Sequence, residues 1–429
     1  MFGFANFLLL ALFAAAVFDL IFALARGGGL RGALHGLWNT PHLLFGQQLA
    51  EWRLQLGRIL FAAGLAAYEI SVVFCNSMAR QNWAWVQGVM SPVLEWLAFL
   101  CFGAKILFGT RYTWRELLAG GALYFIARWV YFNSQNIWWI GIVVAVLAAK
   151  DVSLRRPLQV YFASGCAAMA VVLALHFAGI VAPDLTSERM GALRGTYGYG
   201  HPNTFGGLVF GLVLAYALLR AQKVRWVDCL LVFAVGVFLL VGPASRSAAL
   251  CTLALAVGLV FCRLRAGHSV PRWWSGTCAG MVGLTAAVSY LLPLLVIKVG
   301  PWNNDIGPAW LAKLDSLLTC RISLTWMAYR LLDVKIAGQV FNWPTVDNSF
   351  AFALFQFGPV VAALLGILFA AALWGHAKQG RRVEVCCLFA MLAYAYMEVQ
   401  PFHLTTNPTA LLLCGAVFAQ TSARWQKIE

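Results

Sequence analysis

The chain has 429 residues, of which 62% are hydrophobic and only 11% charged, and its mean hydropathy is +0.77. Soluble domains carry about a quarter charged residues, so water is excluded as the main solvent. The net charge of +15 does not indicate nucleic acid, because the basic residues form small clusters between apolar runs and build no basic arm or stripe. The eleven cysteines sit mostly inside apolar runs (Cys101, Cys166, Cys251, Cys386, Cys387), without CxxC or metal-ligand spacing, and read as small core or lipid-facing residues.

In chain order, apolar runs of about 17 to 25 residues recur to the end, long enough to cross the hydrocarbon as helices that satisfy their own backbone, the fifth, 135–149, being short. They fall at 2–25, 59–79, 89–109, 113–133, 135–149, 159–182, 204–222, 227–243, 247–263, 275–298, 348–374, 383–399 and 405–422. The first lacks a basic n-region and a small-residue cleavage site and is expected to be a retained span. The expectation is an all-α, polytopic bundle of about 11 to 14 spans forming one continuous membrane domain, 1–429. Residues 299–347 are its large extramembrane loop, with helical periodicity through Leu314, Leu317, Leu318, Ile322 and Leu324.

Lys and Arg collect in cytoplasmic loops. Arg53 and Arg58, Arg111 and Arg115, Lys150 with Arg155 and Arg156, Lys223 with Arg225, Arg263 with Arg265 and Arg272, and Lys378 with Arg381, Arg382, Arg424 and Lys427 mark alternate breaks. Those breaks and the C-terminus are therefore expected inside. The breaks at 183–203, 243–246, 299–347 and 400–404 are expected outside.

The outer breaks hold the unusual residues. Between Arg194 and Gly206 stand Tyr197, Gly198, Tyr199, Gly200, His201, Pro202 and Asn203, a tight, backbone-exposing entry into a span. Helix N-termini and arginine forks both suit phosphate oxygens, although a helix cap with snorkelling polar residues would look the same. Ser245, Arg246 and Ser247 end a span where a charge is costly unless it is paired or faces water. Arg321, on a helix face, could pair with Asp315 or lie in solvent. Asp347, Asn348 and Ser349 open the next span, and Glu398, His403 and Asn407 flank the 400–404 turn.

Together these residues suit a multiply charged anionic headgroup such as a lipid diphosphate. Arginine stays charged and grips phosphate bidentately, and where the diphosphate is a leaving group the same guanidinium stabilises its developing charge. A sugar hydroxyl attacking an anomeric carbon needs a proton acceptor, for which His201, Glu398, Asp347 and His403 are available. No DxD pair indicates a metal-dependent site, and no cofactor is expected.

On Arg194 with the Gly198 to Thr204 segment, Ser245-Arg246-Ser247, Leu314 to Leu324 around Arg321, and Asp347 to Phe350, the chain resembles bacterial Wzy-type polysaccharide repeat-unit polymerases, relatives of the O-antigen ligases. The resemblance covers mainly 185–410. It implies a GT-C-like membrane fold in the bacterial cytoplasmic membrane, with an extracytoplasmic active site that joins undecaprenyl-diphosphate-linked oligosaccharides without metal or nucleotide sugar. It also implies flippase and chain-length-regulator partners. Arg194, Arg246 and Arg321 would face the phosphates, with His201 as base or positioner and Tyr197, Tyr199, Asn203, Ser245, Asp347, Asn348, Glu398 and His403 around the substrate. Cys320 stands where the family has a small residue before the arginine, and Ser247 where its turn ends in threonine. A ligase moving finished glycan stays open, as does a transporter or lipid-linked oligosaccharide flippase. Asp19 and Glu69 inside apolar runs keep the transporter open.

Overall fold

The computed structural model describes residues 2–26, 29–46, 50–181, 187–189, 192–268, 270–296 and 307–418. Arg424 and Lys427 of the expected cytoplasmic tail, and parts of the 183–203 and 299–347 breaks, lie outside the described residues. Among the described residues eight helices are long and apolar enough to cross a bilayer, and Ile137–Ala148, Trp226–Val241 and Pro408–Val417 are shorter apolar pieces. The chain is an all-α, multi-pass membrane protein. By its internal contacts it divides into two compact units.

The first unit comprises Met1–Arg128, Trp139–Leu208 and Ala410–Glu429. It holds α1 (Phe2–Ala25), α2 (Gly29–Asn39), α3 (Ala50–Cys75), the single turn α4 (Ala79–Asn82), α5 (Ser91–Phe108), most of α6 (Trp114–Ser134), α7 (Ile137–Ala148), α8 (Arg155–Phe177) and the start of α9 (Pro202–Leu219). Two-residue strands β1 (His42–Leu43) and β2 (Arg111–Tyr112) pair antiparallel, as do β3 (Ser187–Arg189) and β4 (Ala192–Arg194).

Helix α3 packs on α5 and α8. Gly57 and Gly64, seven residues apart, lie on one face of α3. A Cβ at Gly57 would come within 2.8 Å of the Gly109 Cα, and one at Gly64 within 2.7 Å of the Phe102 ring. Small residues of this kind let helix backbones approach where lipid supplies no hydrophobic drive. Gly57→Leu is expected to overpack this seam by about 1–3 kcal/mol, read as a lower melting temperature and lower abundance in detergent. Unchanged stability would contradict the close approach.

Two ends of this unit are defined by contacts. At one, Arg53 donates from Nε to the Phe108 carbonyl at 2.9 Å, Lys150 Nζ donates to the Arg111 carbonyl at 2.6 Å, and Arg111 N donates to Asp151 Oδ2 at 3.0 Å. Buried Lys150 also pairs with Glu116 at 3.3 Å. The Lys/Arg-rich breaks of α3, α5, α6, α7 and α8 meet there. At the other end Met78 N donates to the Gly198 carbonyl at 2.8 Å, Ser77 bridges to Tyr199, and Asn82 Nδ2 donates to the Ile180 carbonyl at 3.3 Å.

The second unit comprises Trp129–Trp138 and Val209–Thr409. It adds the rest of α9 and then α10 (Trp226–Val241), α11 (Arg246–Leu264), α12 (Arg272–Leu291), α13 (Ala309–Leu317), α14 (Arg321–Leu331), the short α15 (Ser349–Phe352), α16 (Pro359–Lys378) and α17 (Arg382–Met397). The packed pairs are α10 with α11, α11 with α17, and α12 with α16. At one end Arg220 Nε meets Asp228 Oδ1 at 3.1 Å, and Arg382 donates to the carbonyls of Arg265 and His268. The opposite end carries the starts of α11, α14 and α15 and the exit from α17. Val227, Leu230 and Val241 are each about 70% exposed on α10, a surface for lipid.

The apolar pattern differs from the fold at two places. The run 348–374 is broken: α15 passes into a π-turn, Ala353–Phe357, and Gly358 at φ 89° separates it from α16. The run 405–422 folds, as far as it is described, as a 3-10 segment, Pro408–Leu413, and one α-turn, Cys414–Val417. Pro408 favours such a start because it lacks an N–H and cannot continue a preceding helix.

Candidate functional site

Two constellations stand out, one per unit. In the second unit the side chain of Arg321 is 8% exposed and enters α14 from a tight reversal in which Thr319 and Cys320 both take the left-handed conformation. Asp315, one possible partner of the guanidinium, instead caps α14. Its Oδ1 accepts from Ile322 N at 2.8 Å and its Oδ2 from Ser323 Oγ at 2.8 Å. That cap uses the orphan donors of the helix start and fixes where Arg321 begins.

The guanidinium pairs with carboxylates far away in sequence. Nη2 lies 2.9 Å from Glu398 Oε1 and Nη1 3.2 Å from Asp347 Oδ2, while Nε donates to the Met397 carbonyl at 2.8 Å. Ser247 Oγ donates to the same Glu398 oxygen at 2.8 Å, and Ser349 Oγ to the Glu398 carbonyl at 2.5 Å. Asn348 caps α15 by accepting from Phe350 N and Ala351 N, and its Nδ2 donates to Ser289 Oγ at 3.3 Å. One buried cation is thus held by two carboxylates and two backbone carbonyls, counting Thr319, which take four of its five N–H donors.

Glu398 is almost fully buried, and burial raises its carboxyl above the ordinary glutamate value. Attraction to Arg321 and the bond from Ser247 act in the opposite direction without cancelling that rise. Asp347 is the more accessible carboxylate, with its side chain 26% exposed. Ser245 is buried, Arg246 is exposed at the first residue of α11, and Ala244 just before them takes the left-handed conformation. His403, in the turn after α17, lies over Trp138 with ring centroids 3.7 Å apart. Burial pulls its imidazole down to about 3. It is neutral at physiological pH and adds no positive charge for an anion, nor is it basic enough to take a proton there.

In the first unit Arg194, 6% exposed, ends β4, and its Nη2 donates to Asn203 Oδ1 at 2.8 Å. Asn203 N donates to His201 Nδ1 at 3.1 Å. His201 therefore caps α9, and the neutral ring carries its proton on Nε2, which makes that exposed nitrogen a donor. As drawn, His201 can position or donate, and a role as base would require giving up the cap. Tyr197 and Gly198 both have positive φ and turn the chain so that Tyr197 stacks on Phe205 at 5.0 Å. Tyr199 is fully buried with its hydroxyl unpartnered. Burial, followed by the nearby Glu69 carboxyl, raises that hydroxyl.

Arg194, Tyr197, Tyr199, His201 and Asn203 are thus gathered in one unit, and Ser245, Arg246, Arg321, Asp347, Asn348 and Glu398 in the other. In each unit they lie at the helix ends opposite the Lys/Arg-rich breaks. Ser349 and Asp315 are additional members of the second constellation. Asp315 betrays itself only as an acidic residue in the turn before Arg321, and Ser349 only as the neighbour of Asn348. Among the described residues no group of three or more His, Cys, Asp and Glu is placed to hold a metal ion. No family model, curated protein or solved structure matches the chain.

Proposed function

We propose that the chain is a polymerase that joins undecaprenyl-diphosphate-linked oligosaccharide repeat units into a surface polysaccharide. It would be a glycosyltransferase drawing on no metal, acting on the extracytoplasmic face of a bacterial cytoplasmic membrane beside flippase and chain-length-regulator proteins. The observation that carries this reading is the position of the resemblance residues: in both units they cluster at the helix ends opposite the basic breaks, which by the positive-inside rule are cytoplasmic.

In this reading the acceptor hydroxyl attacks the anomeric carbon of the growing chain, the bond from that carbon to the diphosphate oxygen breaks, and the hydroxyl proton passes to a carboxylate. Asp347 is the better acceptor, being more accessible than Glu398. Arg246, in the same unit as Asp347, faces the departing diphosphate, and the resemblance assigns Arg194 to phosphate as well. Arg321, already shared by two carboxylates, serves to hold Asp347 and Glu398 in place more than to bind phosphate. This departs from a role on the phosphates for all three arginines, and His403 is given no role as cation or base.

The raised Glu398 carboxyl fixes a pH dependence. Its proton is taken up above the ordinary glutamate value of about 4.3, so polymerisation falls on acidification before simple carboxylates titrate. The folded state holds that proton more tightly than the unfolded chain does. The group's own contribution to stability therefore grows as pH falls through the window, and activity is lost without loss of fold. Glu398→Gln is expected to give low activity at all pH values, normal abundance and a flattened acid limb in a membrane polymerisation assay. An unchanged acid limb would contradict the assignment.

Glu69 favours transport as a second reading: it lies mid-span in α3, 2% exposed, with Oε2 unpartnered, as carboxyls on ion pathways often are. A ligase would be recognised by long lipid-linked polymer accumulating in a deletion strain, where a polymerase deletion leaves single units.

A further inference from the structure

Helices α11 and α17 pack on one another in the second unit, and named side chains join them at both ends. At the end with the candidate site, Ser247 Oγ donates to Glu398 Oε1 at 2.8 Å. At the opposite end, Cys262 near the close of α11 and Cys386 near the start of α17 stand with their sulfurs 3.5 Å apart. Arg382 secures that end by donating from α17 to the carbonyls of Arg265 and His268, just past α11. Helices held in register at both ends keep the two sulfurs facing each other.

A cysteine inside an apolar run ordinarily packs as a small hydrophobe. Two cysteines in sulfur contact across a helix pair have a further chemistry. A disulfide needs its sulfurs about 2 Å apart, so a closure of roughly 1.5 Å separates this pair from a bond. Gly258, one turn before Cys262, makes the approach possible: a Cβ there would lie 3.1 Å from the Cys386 sulfur, so the glycine leaves that side chain its place against α11.

Both thiols are free. Cys262 is buried, whereas Cys386 is half-buried and is the sulfur that an oxidant meets first. The contact lies at the end with the Lys/Arg-rich breaks, which the positive-inside rule places in the cytoplasm. Thiols are kept reduced there, and disulfides that do form are transient. The pair is therefore a dithiol at rest, with a resolving sulfur already beside the one that reacts.

We propose that Cys262 and Cys386 form a redox modification site, at which a hydroperoxide converts the dithiol to a disulfide tying α11 to α17. The Cys386 sulfur takes the terminal oxygen of the hydroperoxide, whose O–O bond breaks to leave an alcohol. The Cys262 sulfur then displaces that oxygen as water, and the S–S bond forms. The two electrons lost by the sulfurs reduce the peroxide, and two equivalents of a cellular thiol reverse the change. The site is separate from the proposed polymerase chemistry and stands whether or not that reading does.

The test is peptide mass spectrometry of the full-length protein in isolated membranes, oxidised with tert-butyl hydroperoxide and then blocked with N-ethylmaleimide. A peptide pair bridged from Cys262 to Cys386 is expected at severalfold higher yield than any other cysteine pairing, and dithiothreitol should abolish it. Cys262→Ser should leave Cys386 as a sulfenic acid that dimedone traps, and Cys386→Ser should leave the Cys262 thiol unoxidised. The bond joins positions 124 residues apart, which restricts the unfolded chain, so the bridged protein should melt several degrees above the reduced one. Neither serine variant should show that difference. Cys262 and Cys386 both captured by N-ethylmaleimide while exposed Cys320 is oxidised, a bridge from Cys386 to another cysteine, or equal melting of the bridged and reduced forms would each overturn the proposal.

Discussion

Arg321→Ala is expected to abolish long polymer and also to lower membrane abundance. Removing the guanidinium leaves Glu398, nearly buried, and Asp347 facing one another without the cation that holds them. Breaking a buried pair by deleting one partner costs about 3–5 kcal/mol, because a charge is left uncompensated. The structural part of that loss can be separated from the functional part. The double variant Arg321→Ala with Glu398→Ala removes the buried charge on both sides, so abundance should recover while polymer stays absent. Recovery of polymer together with abundance would show that the pair serves folding only.

Gly358→Ala is expected to be at least as damaging, through the backbone alone. Gly358 sits at φ 89°, ψ 164°, a region that is essentially glycine's own and costs other residues about 1–3 kcal/mol. A Cβ there would also overlap the carbonyl of Ile336, and one at Gly338, φ 74°, would overlap the carbonyl of Gln356. The two glycines thus let the 335–339 segment lie against the corner that opens α16. Both terms act together, so a loss of at least about 3 kcal/mol is expected. The readout is the fraction of protein recovered as a monodisperse peak after detergent extraction. Gly358→Ala recovered at wild-type levels would contradict the close approach.

Much of the architecture was legible because lipid leaves the backbone so few solutions. Apolar length predicts α1, α5, α8, α9, α11 and α12 closely, while α3 begins nine residues before the run 59–79, and the Lys/Arg-rich breaks predict which helix ends meet within each unit. What sequence periodicity could not show was where an apolar run bends. The run 348–374 reads as a single span until the close approach of Gly338 and Gly358 is seen, and the described part of 405–422 is apolar because it is buried, not because it is long. The runs that yield no long apolar helix are 113–133, where α6 carries Arg115, Glu116 and Arg128, 135–149, 227–243 and 383–399, where α7, α10 and α17 have 12, 16 and 16 residues, and 405–422.

The candidate site was legible as residue types and not as pairings. Arg321 and Glu398 are 77 positions apart, and no spacing rule links them. Asp315 stands six residues before Arg321 yet spends its carboxylate on the start of α14. His201 and His403 looked alike in sequence as residues poised near neutrality. One is tied up as a helix cap, and the other is buried over an indole ring where its charged form is suppressed. Ser247 entered only as part of a turn, but its hydroxyl helps hold the Glu398 carboxylate.

The most direct test of the polymerase reading is the length distribution of surface polymer made by Arg194→Ala and Arg246→Ala variants at matched membrane abundance. Membrane abundance is matched so that a folding defect in either variant does not enter the comparison. The account predicts that long chains vanish while single lipid-linked repeat units persist. Wild-type chain lengths in both variants would contradict it.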